Sequence, residues 1–217
     1  MDWFPFFWKS NGNLSKDLKK LAELPEDKRQ EKLVEERSKL IAKHKLTLTQ
    51  VKLAKGVVGL NNLGNTCYMN SVLQCLTHCP ELRGMFLQRE WWADLNPLSS
   101  PTKGELACEF YMYLIKYWTS TRDSFSPSSM KAIISKAKSS FSGWDQHDAQ
   151  ELLTYFLDSL HEDLNRVLIK PYSQMKDFKE GGDIKQFLNV AYEMHTRRNQ
   201  SALVDLFHGQ FYTKIIS

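Results

Sequence analysis

The segment Gly59-Leu60-Asn61-Asn62-Leu63-Gly64-Asn65-Thr66-Cys67-Tyr68-Met69-Asn70-Ser71 places a cysteine where a polar, glycine-containing turn gives way to an amphipathic helix. Backbone N–H groups at a helix start have no intrahelical acceptor and carry partial positive charge, which favours a thiolate over a thiol. Attack of a thiolate on an acyl carbon also needs a base or imidazolium partner, and donors for the oxyanion that develops. Asn62 lies five residues upstream, where a tight turn through Gly64 folds its amide back toward the sulfur; the N–H of Cys67 is a second donor. The plain alternative is a small buried hydrophobe, the usual state of a free cysteine. A second pair, Asp148 and Glu151, sits three residues apart at another helix start. Two such carboxylates share a face, and either receive a cationic peptide or complement the helix's own N-terminal charge.

The elements that position these groups are mostly helices. Met69, Val72, Leu73 and Leu76 recur at helical spacing and stop before Pro80, with a mixed loop following, broken by Pro97 and Pro101. Glu105 to Trp118 reads as a largely buried aromatic helix, and Ser126 to about Lys138 as another. The clearest amphipathic helix runs from about Asp148 to Leu168, with Leu153, Phe156, Leu157, Leu160, Leu164, Val167 and Leu168 on one face. After Gly181-Gly182, Asp183 to Arg198 is helical again, and Leu203 to Ile216 ends in the alternation of a strand. Upstream, Ser15 caps a short helix ending near Leu24, because Pro25 disfavours helical geometry in the residue before it. Pro25, Glu26 and Asp27 then open a charged helix to about Lys45, and Thr47 to Val58 is a connector with some strand character. The organisation is therefore an aromatic tip (1–13), a charged helical extension and connector (14–57), and a main domain (58–217).

Composition narrows the function classes. The net charge of +4 comes from the first 55 residues, where 13 Lys and Arg face 8 Asp and Glu. That is too weak and too local for a nucleic-acid face. No apolar run approaches the ~20 residues of a membrane span. Five of the first eight residues are aromatic, yet they lack the n- and h-regions of a signal peptide. We read residues 1–9 as docking on the chain's own core or fraying rather than entering a membrane interface. Four cysteines without a secretory signal point to free thiols in a reducing compartment, the cytoplasm or nucleus. Cys75 and Cys79 flank His78 within one helical turn, but no second ligand pair appears, so no metal or other cofactor is expected. Cys108 reads as core.

Three blocks in order resemble the ubiquitin-specific proteases, which are papain-like deubiquitinases. The Cys67 segment resembles their cysteine box. Gln146-His147-Asp148-Ala149-Gln150-Glu151-Leu152-Leu153 resembles their Gln-Gln-Asp-Ala-x-Glu-Phe-Leu box. Ala191-Tyr192 through Ser201, then Val204 to Gln210, resembles the segment leading into their fingers subdomain. The resemblance covers roughly Val58 to Ser217 and implies an α+β papain-like cysteine protease fold, of which this chain holds the mainly helical thumb with little β structure. It implies that Cys67 is the nucleophile, that Asn62 polarises the oxyanion, and that Asp148 and Glu151 hold the arginine-bearing tail of ubiquitin. It implies ubiquitin and ubiquitinated proteins as partners. The family's catalytic histidine and its Asp or Asn lie C-terminal to the fingers, and no histidine here matches them. His44, His78, His147, His161, His195 and His208 read as surface or packing residues. Ser217 falls where many members place the first zinc-ribbon cysteine. These residues are thus expected to have negligible peptidase activity alone, the alternative being a non-catalytic binder of ubiquitin or another partner. A further alternative makes the helices of residues 14–46 an adaptor that binds a partner.

Overall fold

A computed structural model describes residues 12–47, 53–172 and 182–211. Helix α5 (Glu105–Thr119) forms the centre, because Leu106, Phe110, Leu114 and Tyr117 on successive turns all have at most 1% exposure. Phe110 meets Phe86 of α4 (Pro80–Gln88) edge-on at 5.1 Å and Phe156 of α7 (Ala149–Asp163) at 5.3 Å, so one side chain joins three helices. A fully buried side chain of this size contributes about 1.5–3 kcal/mol. The aromatic run is therefore a core requirement. Helix α3 (Cys67–Thr77) packs on α7 and α4, with Met69, Leu73 and Leu76 buried, while Cys67 at its start is exposed. Helix α6 (Ser128–Ala137) lies against α5 and anchors through Met130 and Ile134.

The end of α7 is locked to the start of α5 by Asp163. Its fully buried carboxylate accepts hydrogen bonds from the Ser100 and Thr102 hydroxyls, from Gly104 N–H at 2.9 Å and from Ala107 N–H at 3.0 Å. Asn165 then turns the chain, its Oδ1 accepting from Val167 N–H at 3.1 Å and Gln200 N–H at 3.0 Å. These bonds end α7 at Asp163, five residues before the Leu168 limit set by its apolar face. Leu164, Val167 and Leu168 follow as irregular chain.

Helices α1 (Gly12–Glu23) and α2 (Glu26–His44) precede this domain. The first starts at Gly12, upstream of the expected cap, so Ser15 lies inside it. Helix α2 leans on the domain through Leu40 and the partly buried Ile41, Leu33 is buried as well, and Val34 stays 60% exposed. Arg37 donates to the Leu95 carbonyl, and His44 Nε2 lies 2.9 Å from Glu105 Oε2, beside an ion pair from Lys43.

Three other expectations need correction. Pro80 begins α4 instead of introducing a loop, since proline at the first helical position sacrifices no hydrogen bond. Two strands, β1 (Gly59–Leu60) and β2 (Ser124–Phe125), pair in parallel well before the C-terminus, each too short to show alternation. The expected strand from Leu203 opens as helix α9 (Ala202–Phe207), capped by Ser201, whose hydroxyl accepts from Val204 N–H at 3.4 Å. The aromatic tip of residues 1–9, the alternation at Thr213 and Ile215, and Ser217 lie outside the described residues. Helix α8 (Ile184–Thr196) forms as its spacing predicts, with Asp183 capping the Lys185 and Gln186 N–H groups at 2.9 and 3.3 Å. Among the described residues no helix is long and apolar enough to cross a membrane.

Candidate active site

Strand β1 delivers the chain into the cysteine turn. Its pairing with β2 continues through Asn61 N–H to the Phe125 carbonyl at 2.9 Å. Asn70, one turn into α3, donates its amide to the Leu60 and Asn61 carbonyls at 3.2 and 3.3 Å. The turn then reverses through Gly64 (φ 97°) and Asn65 (φ 49°), the left-handed region that glycine and asparagine tolerate best. A Cβ at residue 64 would overlap the Trp144 ring, and Asn65 Nδ2 donates to the Trp144 carbonyl at 2.7 Å. Trp144 is thus a strap across the turn from nearly eighty residues downstream. Sequence reasoning passed over it, and the Gly64 position was the only local trace of a close neighbour.

Within the turn, Asn62 is held by its carbonyl end. Oδ1 accepts from Gly64 N–H at 3.0 Å, Thr66 N–H at 3.0 Å and the Thr66 hydroxyl at 3.1 Å. The amide Nδ2 has no partner among the described residues and remains available as a donor. Cys67 is the first residue of α3 and is exposed, so the buried-hydrophobe alternative does not apply. Its N–H is likewise without an acceptor, whereas Met69 and Asn70 N–H both bond to the Thr66 carbonyl at 3.1 and 3.0 Å. Cys108 is the contrast: burial pushes its thiol far above the usual range and makes it inert core.

The fold brings the second box alongside. His147 packs edge-on against Tyr68 at 5.1 Å and Phe141 at 5.2 Å, which sets Asp148 and α7 next to the α3 start. Lys131 fastens the intervening loop, donating to the Phe141 carbonyl at 2.7 Å and to the Tyr68 hydroxyl at 3.2 Å. Asp148 is the N-cap of α7, with Oδ1 accepting from Gln150 N–H at 2.7 Å. Glu151 pairs with Lys138 at 2.7 Å. One oxygen of each carboxylate therefore serves the helix or a neighbour, and the other is open.

All six histidines lie within the described residues, and none hydrogen-bonds Cys67. His44 pairs with Glu105. His78 sits between the Gln74 and Gly56 carbonyls at 2.8 and 3.1 Å. His161 is buried against Ser201 at 2.7 Å, and His195 meets His208 at 3.1 Å. Among the described residues no group of three or more His, Cys, Asp or Glu side chains is arranged to hold a metal.

Comparison with known proteins places these features in context. Residues 58–217 match the family described as ubiquitin carboxyl-terminal hydrolase. The chain is 44% identical over 164 residues to human ubiquitin carboxyl-terminal hydrolase 19, covering 74% of this chain and 12% of that protein. It is 42% identical over 165 residues to putative ubiquitin carboxyl-terminal hydrolase 11 of Arabidopsis thaliana, covering 75% and 18%. With ubiquitin carboxyl-terminal hydrolase 15 of Xenopus tropicalis the identity is 40% over 163 residues, covering 74% and 16%. The match thus spans less than a fifth of the length of each of these relatives.

Proposed function

Because this chain belongs to the ubiquitin carboxyl-terminal hydrolase family, we propose that its Cys67 turn is the nucleophile's half of a deubiquitinase site. The observation that carries this reading is the Asn62 amide, clamped by three donors on Oδ1 so that its NH2 end is free beside an exposed helix-start cysteine. Cys67 Sγ attacks the carbonyl carbon of ubiquitin's terminal glycine, and the carbonyl electrons move onto oxygen, which the Cys67 N–H and Asn62 Nδ2 stabilise. Collapse expels the amine and leaves a thioester, which water hydrolyses. Asp148 and Glu151 receive the cationic tail through their open oxygens. Free thiols at all four cysteines support an assignment to the cytoplasm or nucleus.

The leaving amine must be protonated and the thiol deprotonated, and none of the six histidines hydrogen-bonds the sulfur; His147, whose buried Nε2 has no hydrogen-bond partner, packs its ring on Tyr68 and Phe141. These 217 residues alone therefore have negligible turnover. The same observation favours a second reading, a non-catalytic protein that binds ubiquitin. Ubiquitin bearing a C-terminal electrophile, run beside a fluorogenic ubiquitin amide, separates the two. The deubiquitinase reading expects an adduct that disappears in Cys67→Ala, with no amide turnover. Ubiquitin binding without an adduct would support the binder instead, and turnover lost in Cys67→Ala would refute the inactivity.

A further inference from the structure

Thr66 stands at the N-cap of α3, where a threonine hydroxyl ordinarily accepts from the N–H two or three residues ahead. It does not do so here. Its backbone (φ −94°, ψ 19°) lies outside the extended region that capping uses, and its side chain makes no capping bond. The hydroxyl instead faces backward, accepting from Leu63 N–H at 2.9 Å and donating to Asn62 Oδ1 at 3.1 Å. Only 1% of the residue is exposed. A side chain suited to capping has been diverted into the turn, and the helix start it leaves uncapped is the one that carries Cys67.

We propose that Thr66 is a positioning residue, whose hydroxyl fixes the Asn62 amide so that Nδ2, and not Oδ1, faces the reacting oxygen. Turning that amide over would set its NH2 against the Gly64 and Thr66 N–H groups, leave both without an acceptor and break the bond the Thr66 hydroxyl donates. Gly64 and Thr66 N–H lie in the backbone of the turn, so the hydroxyl is the one clamp a side-chain change removes. This assignment rests on the deubiquitinase reading for its consequence, but the clamp itself does not.

Thr66→Val keeps the shape and deletes the hydroxyl, and Thr66→Ser restores it. Ubiquitin carrying a C-terminal aldehyde is the probe. The Cys67 sulfur bonds to the aldehyde carbon, the carbonyl electrons pass to oxygen, and that oxygen takes the thiol proton, giving a hemithioacetal with its oxygen in the oxyanion position. Thr66→Val should weaken aldehyde binding roughly tenfold, as for one lost hydrogen bond, and leave affinity for unmodified ubiquitin unchanged; Thr66→Ser should recover it. Equal aldehyde affinity in the valine variant would overturn the role. Wild-type protein that binds the aldehyde no better than ubiquitin would instead refute the deubiquitinase reading. In that event, side-chain 15N relaxation of Asn62 still decides: the amide should lose order in Thr66→Val and keep it in Thr66→Ser. If the valine variant does not fold, a slowly exchanging Thr66 hydroxyl proton in contact with the Asn62 side chain remains the expected wild-type signal, and its absence overturns the clamp.

Discussion

Asp148 accepts the Gln150 N–H with one oxygen and leaves the other open, so helix capping and charge presentation reside in one carboxylate. The two duties can be separated. Asparagine caps a helix about as well as aspartate, whereas alanine at an N-cap costs about 0.5–2 kcal/mol. Asp148→Asn should keep the unfolding midpoint close to wild type, losing at most about 1 kcal/mol of charge–dipole stabilisation. It should bind ubiquitin roughly tenfold more weakly if the carboxylate meets a cationic tail, since a charge-assisted bond is worth about twice a neutral one. Urea titration and a ubiquitin-binding isotherm on the same preparation give both numbers. Unchanged binding in the asparagine variant would leave Asp148 as a cap alone. Cys67, Asn62 and the Asp148–Glu151 pair stand out in the sequence as candidates because the chemistry proposed for them depends on type and short-range spacing. The contacts of Thr66 and Trp144 do not. A threonine before a helix reads as its cap, and the Trp144 strap depends on a contact across 80 positions that no local pattern carries.

His161 of α7 packs against the segment that joins α8 to α9: its Nδ1 lies 2.7 Å from the Ser201 hydroxyl and its Nε2 3.3 Å from Asn199 Oδ1. Burial pushes the imidazole down to about 4, with Glu162 acting the other way and Lys170 and His208 adding to the depression. The folded-state value is below the unfolded one of about 6.5, so the unfolded chain takes up the proton first. The contribution of His161 is therefore full above pH 6.5 and is lost as pH falls toward 4, by roughly 3 kcal/mol at 1.36 kcal/mol per unit. Asp158, pushed up to about 6 by burial, and Asp163, also raised by burial, shift total stability in the opposite sense over the same range. The informative quantity is thus the difference between wild type and His161→Gln. Measured by urea unfolding, that difference should shrink between pH 6.5 and pH 4; a constant difference would mean that the imidazole is not held neutral. This junction also explains where pattern reading failed. The apolar face of α7 continues past its end, and only the polar contacts of Asp163 and Asn165 stop it. Likewise Leu203, Val204 and Leu206 fit a strand or a helix until the Ser201 cap decides, whereas α5 and α8 are long and periodic enough to be read directly.

Across the whole molecule, the charged N-terminal helix is part of the packing. Leu40 sits close against Gly104, which has φ 82° and no Cβ, and Gly104 in turn is held by Asp163. The α2 contact therefore bears on the same junction that joins α7 to α5. Most of a helix's stability in a protein comes from packing its apolar face, so the order of α2 comes from docking. Leu33, Leu40 and Leu46 are each at least 92% buried, and each such side chain contributes up to about 1.5–3 kcal/mol. Part of that gain is offset by the entropy of ordering the helix. Removing residues 1–46 should then lower unfolding free energy by about 2–5 kcal/mol, a large share of the 5–15 kcal/mol typical of a domain, and should reduce the urea midpoint accordingly. Two point variants separate packing from mere length. Leu40→Ala should cost about 2–5 kcal/mol. Val34→Ala, on the 60% exposed face of the same helix, should stay within about 0.5 kcal/mol. A deletion that leaves the midpoint unchanged would make the helix a separate appendage and favour the adaptor alternative for residues 14–46. A matched loss in the deletion and in Leu40→Ala would make α2 a structural brace for the domain that carries Cys67.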